Sequence, residues 1–257
     1  MPEFCRVERD GRILRITIDR PEVRNALHPP ANFELAGVFD EFAADPELWV
    51  AILTGAGEQS FCAGNDLKYQ AAGGRVEVPE TGFAGLTHRF DLTKPVIAAV
   101  NGTALGGGFE IALACDLIVA SETATFGLPE VRVGLAALAG GLHRLPRQIP
   151  LKQAMGLILT GRPIDAREAW RLGLVNEVVP PAELLEAADR WARWILEAAP
   201  LSVRASKQVV MQGLDHASLR EAAEARYEAI AEMVRSEDFV EGPRAFAEKR
   251  RPRWKGR

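Results

Sequence analysis

Residues 96–110, VIAAVNGTALGGGFE, constrain the chain more than any other stretch. Val96, Ile97, Ala98, Ala99 and Val100 form an unbroken apolar run, the pattern of a strand covered on both faces. Asn101 and Gly102 break it. Gly106, Gly107 and Gly108 carry no side chain, so the turn can take unusual φ/ψ values and a ligand can approach the backbone closely. From Phe109, FEIALACDL is apolar nearly all round, as in a buried helix. A carboxylate at Glu110 is costly there unless it is hydrogen-bonded or faces a cleft. Its place in a first helical turn, where the macrodipole favours negative charge, is the plainer alternative. Neither strict phosphate-binding pattern is present: the third glycine of a dinucleotide fingerprint is missing, and no Gly-Lys-Ser/Thr follows. The more specific reading is a backbone N–H aimed at an oxygen that gains negative charge.

The rest of the chain repeats the strand–turn–helix theme. RVERDGRILRITIDRP reads as two strands around a turn at Asp10-Gly11, ended by Pro21. Arg24 to Leu27 form a loop before a helix opened by Pro29 and Pro30, with Phe33, Leu35, Val38, Phe39 and Phe42 at helical spacing. Residues 49–54 read as a buried strand, and residues 61–68, FCAGNDLK, as a second turn in which Gly64 precedes a helical start. Residues 70–85 show no period, and a long mobile loop serving as lid or pocket wall is expected. Residues 117–120 read as another strand, Pro129-Glu130 as a tight turn, and Gly140-Gly141 as a turn before a helix. This alternation predicts an α/β fold with repeated βα crossovers. From Leu151 helical patterns dominate, and only residues 175–179 read as a strand. Asp165 suits a helix cap and Pro180-Pro181 a helix start, and Trp191 and Trp194 are expected to be core contacts on one helical face. The expected division is an α/β core over 1–180 and a helical region over 181–257 that packs on that core or on another subunit.

Composition narrows the function classes. A chain of 257 residues can bury a sizeable core, and 47% hydrophobic with 26% charged residues is ordinary for a soluble globular protein. A net charge of -4 offers no electrostatic reason to bind nucleic acid, and no apolar run approaches membrane-spanning length. Strand-like alternation begins almost at residue 1, so no signal or transit peptide is expected. Cys5, Cys62 and Cys115 are odd in number and far apart, which predicts reduced packing thiols in the cytoplasm and not disulfides or a zinc site. No metal-ligand spacing occurs, there is no GxSxG, and His28, His88, His143 and His216 have no obvious Ser or Cys partner.

FCAGNDLK, NGTALGGGFEIALACD, FGLPEVRVGL and the tail EGPRAFAEKRRPRWKGR, in this order, resemble the crotonase (enoyl-CoA hydratase/isomerase) superfamily over nearly the whole chain. GFAGLT, GGGFE and WKGR resemble most its carnitinyl-CoA dehydratase branch, although such phrases recur in general hydratases. The resemblance implies a spiral of ββα units with a C-terminal helical region. It also implies an acyl-CoA thioester substrate, no cofactor beyond the CoA of that substrate, and a homotrimer or dimer of trimers. On the matching positions, the peptide N–H groups of Asn65 and Gly107 would hold the thioester oxygen, and Glu110 and Glu130 would be the acid/base pair. For CoA, Arg24 would meet phosphate, Ala26 and Leu27 would offer backbone contacts, and Ala63, Gly64, Leu67 and Lys68 would line the same cleft. Phe246 and Lys249 match positions that reach the adenine end, sometimes from a neighbouring subunit. Asp116 reads as structural.

Two carboxylates can orient a water, take its proton and return one to carbon, so a complete pair points to 2-enoyl-CoA hydration. The alternatives are the dehydratase reaction on a γ-trimethylammonium acyl group, double-bond isomerisation, thioester hydrolysis, and acyl-CoA binding without catalysis. Family isomerases often keep one acid, which argues against isomerisation here. Ala136, Ala137 and Leu138 replace the proline and small polar residues often seen before the Gly-Gly pair, which predicts an apolar wall. For a trimethylammonium head, Glu77 and Glu80 are the only acids of the 70–85 loop, and Tyr69 and Phe83 are the candidates for an aromatic cage.

Overall fold

The computed structural model describes residues 2–75 and 77–257; Val76, in the expected loop, lies outside the described residues. Among the described residues, ten strands form two sheets: β1 Cys5–Asp10, β2 Ile13–Ile18, β3 Val50–Gly55, β4 Ser60–Cys62, β5 Val96–Val100, β6 Thr103–Leu105, β7 Leu117–Ser121, β8 Thr125–Gly127, β9 Ile164–Asp165 and β10 Glu177–Val179. The six-stranded sheet has the order β1-β2-β3-β5-β7-β10 and the four-stranded sheet β4-β6-β8-β9. Pairing is parallel except at β1/β2 and β8/β9. Each long strand β3, β5 and β7 turns a corner into a short strand of the second sheet, which makes the mixed α/β spiral. Asn101 ties two corners: its Nδ2 donates to Gly57 O at 2.7 Å, and its Oδ1 accepts from Gly55 N–H at 3.2 Å.

The helices are α1 Pro29–Ala44, α2 Leu67–Ala71, α3 Gly107–Ala114, α4 Gly141–Gln148, α5 Leu151–Thr160 and α6 Ala166–Arg171, then α7 Leu184–Leu196, α8 Pro200–Gly213, α9 Leu219–Glu224, α10 Glu228–Arg235 and α11 Glu237–Ala247. Strands β3 and β5 are buried at every position because both sheet faces are covered, and the one polar side chain, Thr54, donates to Ala99 O at 2.8 Å. Ala51, Leu53 and Ala98 face a core that includes Phe39, Phe42, Phe61 and Phe109. Val50, Ile52, Ile97 and Ala99 face Leu184, Ala187, Ala188 and Ala192 of α7. A helix from the expected C-terminal region thus closes the central sheet. Asp116 ties the layers, its Oδ2 accepting from Val96 N–H at 2.8 Å and from Lys207 Nζ at 2.7 Å.

Several details differ from the sequence reading. Asp10 pairs with Ile13, so the hairpin turn is Gly11-Arg12, with Gly11 at φ 56°. Phe33, spaced as a core residue of α1, is 51% exposed, and Trp194 is 50% exposed while Trp191 packs against the α7 side of the sheet. The 70–85 stretch begins in α2 and ends in a buried 3-10 turn, Phe83–Gly85. That turn lies tight on α1: a Cβ on Gly85 would overlap Ala36, and Asn32 Oδ1 accepts from Ala84 N–H at 2.7 Å. Its end is therefore a packed wall.

All three cysteines are buried and free. Among the described residues, no helix is long and apolar enough to cross a membrane, and no group of three or more His, Cys, Asp or Glu could hold a metal ion.

Candidate active site

The two glycine turns are stacked directly on each other. Gly64 takes φ +90°, and a Cβ built there would lie 2.9 Å from Gly107 N and 2.8 Å from Leu105 O. A Cβ on Gly108 would overlap the Cys62 carbonyl oxygen. Only glycine tolerates these approaches, and they bring the Asn65 and Gly107 segments together. Among the described residues, neither the Asn65 N–H nor the Gly107 N–H donates a hydrogen bond. Two free donors on abutting turns, one of them opening α3, suit a developing oxyanion. The Asn65 side chain is engaged elsewhere, its Nδ2 donating to Gln70 Oε1 at 3.0 Å.

Both glutamates reach this corner. Glu110 lies in the first turn of α3 and is 3% exposed. Its Oε1 accepts from Gly141 N–H, at the start of α4, at 2.8 Å. Burial pushes its pKa up to about 7; the Gly141 N–H opposes this, and the neighbouring Glu130 carboxylate adds to it. Glu130 lies in the 3-10 turn Pro129–Val133, where a Cβ on Gly106 would lie 3.1 Å from its Oε1. Burial raises its pKa too, and its Oε2 is buried without a hydrogen-bond partner among the described residues. The Glu130 charge thus bears on the ionisation of Glu110, the situation in which titration belongs to a pair of groups.

The loop before α1 docks on the first turn. Ala63 N–H donates to Arg24 O at 3.1 Å, Leu27 N–H to Gly64 O at 2.8 Å, and Asp66 N–H to Leu27 O at 3.0 Å, a parallel bridge between Leu27 and Asn65. Asp66 caps α2, and Arg20 binds both Asp66 Oδ2, at 3.2 Å, and the Ala26 carbonyl. Arg24 is exposed in the left-handed region at φ 55°, beside a groove of about 350 Å³ shared with Gly57 and Gln59. Leu67 and Lys68 are exposed, and Ala63 is half-buried.

Phe83, 7% exposed, packs on Gly107 as one wall; Ala137 is 3% exposed and close to Gly141, whereas Leu138 is 78% exposed. Of the three residues expected to form an apolar wall, Ala137 is buried whereas Ala136 and Leu138 are exposed. Tyr69 packs edge-on against His28, with ring centroids 5.5 Å apart, and Glu77 and Glu80 are exposed. Phe246 and Lys249 are exposed at the end of α11, which packs on α10. Among the described residues, no hydrogen bond or ion pair joins them to residues 24–27 or 63–68.

Sequence reasoning missed three contributors: Arg20, Gly141 and Arg144. Gly140-Gly141 at a helix start was the available signal for Gly141, since such a start offers N–H groups to an anion. Arg144 Nη2 donates to Thr87 O at 2.7 Å, and its guanidinium lies over the Phe90 ring at 5.6 Å.

A spiral of paired strands and helices that stacks two glycine turns beside a buried and a half-buried carboxyl, Glu110 and Glu130, defines a crotonase-type protein. The chain belongs to the enoyl-CoA hydratase/isomerase family, which it matches over residues 8–257. It is 46% identical to the carnitinyl-CoA dehydratase of Salmonella arizonae, over all of both chains. Among solved structures it resembles an enoyl-CoA hydratase from Mycobacterium tuberculosis H37Rv, with 45% identity, TM-score 0.92 and 99% of each chain covered. It also resembles a carnitinyl-CoA hydratase from Mycobacterium avium, with 47% identity, TM-score 0.79 and all of both chains covered.

Proposed function

We propose that this protein is a 2-enoyl-CoA hydratase, adding water reversibly across the double bond of a CoA thioester. The observation that carries the reading is the pairing of Glu110 and Glu130 beside the abutting Asn65 and Gly107 turns. One carboxylate takes a proton from water as its oxygen bonds to C3. The C2–C3 π electrons move toward the thioester, and the resulting enolate oxygen is held by the Asn65 and Gly107 N–H groups. The other carboxyl, protonated, delivers its proton to C2 and restores the thioester. Burial, which holds the Glu110 proton to near neutral pH, suits a pair that must keep one member protonated. Fixed N–H donors in such a site lower the barrier by about 3 kcal/mol each.

Arg24, Ala26, Leu27, Ala63, Gly64, Leu67 and Lys68 would line the CoA cleft, with the Leu27–Asn65 bridge in support. Phe246 and Lys249 would contribute to it from a neighbouring copy in a homotrimer or dimer of trimers. No cofactor is required, since CoA arrives with the substrate. The division at residue 180 and a cytoplasmic location belong to the same proposal. Dehydration of carnitinyl-CoA is the second reading, favoured by the full-length relatives of that name. Loss of enoyl-thioester absorbance with crotonyl-CoA, longer 2-enoyl-CoAs and crotonobetainyl-CoA separates the two. Turnover of the simple esters supports the hydratase, activity confined to crotonobetainyl-CoA supports the second reading, and binding without turnover overturns both.

A further inference from the structure

Arg144 is a half-buried cation on α4, one turn beyond the residue that donates to Glu110. Its Nη2 is spent on the Thr87 carbonyl at 2.7 Å, on the chain just past the Phe83–Gly85 wall. Its Nη1 lies flat on Gly140, where a Cβ would overlap it and where the backbone takes φ +107°. The next residue, Gly141, supplies the 2.8 Å hydrogen bond to Glu110 Oε1. One guanidinium thus clamps the Gly140-Gly141 turn between α4 and the wall segment. We infer that Arg144 is a positioning residue: it holds the Gly141 N–H on Glu110 and brings a positive charge to the side of the site where that carboxyl lies.

The charges facing Glu110 are few. After burial and the Gly141 N–H, Glu130 from the 3-10 turn disfavours its ionisation, and the Ala139 backbone and then Arg144 favour it. From the short strand below comes Cys62, and at the end of α3 lies Cys115; burial raises both thiols, so they stay neutral. The Phe83–Gly85 turn brings no titratable group. Arg144 is the one cation that bears on Glu110 among the described residues, while Arg132, in the same turn as Glu130, donates its Nε to Thr160 O at 2.9 Å. The hydrogen bond from Gly141 fixes where the carboxylate sits, and the guanidinium charge favours its ionised form against the larger effect of burial.

The inference rests on Glu110 and Glu130 acting as the acid/base pair. Its test is the pH profile of kcat for Arg144→Met, Arg144→Gln and Arg144→Lys, each first shown to be folded by circular dichroism and to bind a saturated acyl-CoA as the parent does. Losing the cation makes the pair harder to ionise. The acid limb should therefore move up in Arg144→Met by on the order of 0.5–1 pH unit. Arg144→Gln keeps a planar donor for Thr87 without the charge and should show the same shift, which preserves the test if Arg144→Met does not fold. Arg144→Lys keeps the charge but not the two-sided contact: its acid limb should stay in place while kcat falls roughly several-fold with KM little changed. An unmoved acid limb in both neutral variants, or a fully active Arg144→Lys, overturns the inference. Glu110→Gln, measured alongside, keeps the two ideas apart: if it retains full turnover the pair itself is wrong, whereas an inactive Glu110→Gln with unshifted Arg144 variants sinks only the role of Arg144.

Discussion

Gly141→Ala tests the geometry of the pair without touching a titratable group. A methyl built on Gly141 lies 3.0 Å from both Glu110 Cγ and Glu110 Oε1, and 3.2 Å from Ala137 Cβ. Ordinary contact is ~3.5 Å or more, so the Glu110 side chain must retreat by roughly 0.5 Å. The backbone does not resist the change, because Gly141 opens α4 and is not among the residues of positive φ. Alanine in place of glycine can return up to about 1 kcal/mol of helix propensity, against about 1–3 kcal/mol for overpacking. The net loss of stability should be about 0–2 kcal/mol, small enough to leave the protein folded. Catalysis is more sensitive: a misplacement of ~1 Å costs about 10²-fold, so half of that should cost roughly tenfold in kcat. KM for crotonyl-CoA should barely change, because the proposed CoA contacts lie on other elements. The assay is the rate of loss of enoyl-thioester absorbance, with thermal unfolding and acyl-CoA affinity measured on the same sample. Parent-like kcat in folded Gly141→Ala would show that the Gly141–Glu110 contact does not set the reacting geometry.

Glu110→Gln and Glu130→Gln should each lower turnover by about 10²–10⁴-fold while leaving saturated acyl-CoA affinity nearly intact, since each removes proton transfer and not binding; titration calorimetry beside the rate assay checks both halves. Glu110→Gln should also change stability with a definite sign. The native state holds the Glu110 proton up to about 7 instead of 4.5, so it binds more protons than the unfolded chain between those values, and stability falls as pH rises through that window. Denaturant titrations should therefore find Glu110→Gln more stable than the parent at pH 8, by on the order of 2 kcal/mol, and little different near pH 4.5. Gly108→Ala, by contrast, drives a methyl into the Cys62 carbonyl where neither backbone can yield, and should cost roughly 3 kcal/mol or more in thermal or denaturant unfolding. A Gly108→Ala protein as stable as the parent would mean that the two turns are not stacked as described.

Much of this protein is readable from local pattern. The run Val96 to Val100 announces a strand covered on both faces because its side chains alternate between two packed layers and every position must be apolar. Gly64, Gly106, Gly107 and Gly108 announce turns, since no other residue permits the positive φ or the close approaches found there. An acid in an otherwise apolar helix announces Glu110, because burying a carboxylate needs a reason. What sequence could not supply were relations across long separations. Phe33 and Trp194 share the helical spacing of their buried neighbours and yet face outward, because periodicity defines a face without saying how wide the covering layer is. That α7 closes the central sheet, that Gly141 donates to a carboxylate 31 residues earlier, and that Arg144 clamps the same turn onto Thr87 follow only from how the spiral stacks. The raised pKa of Glu110 belongs there too, since proton affinity depends on which groups surround a carboxyl and on how much water has left it. Residue type and spacing determined which chemistry the chain could carry; tertiary packing decided which groups meet, because burial and hydrogen bonding are properties of the assembled layers and not of any segment.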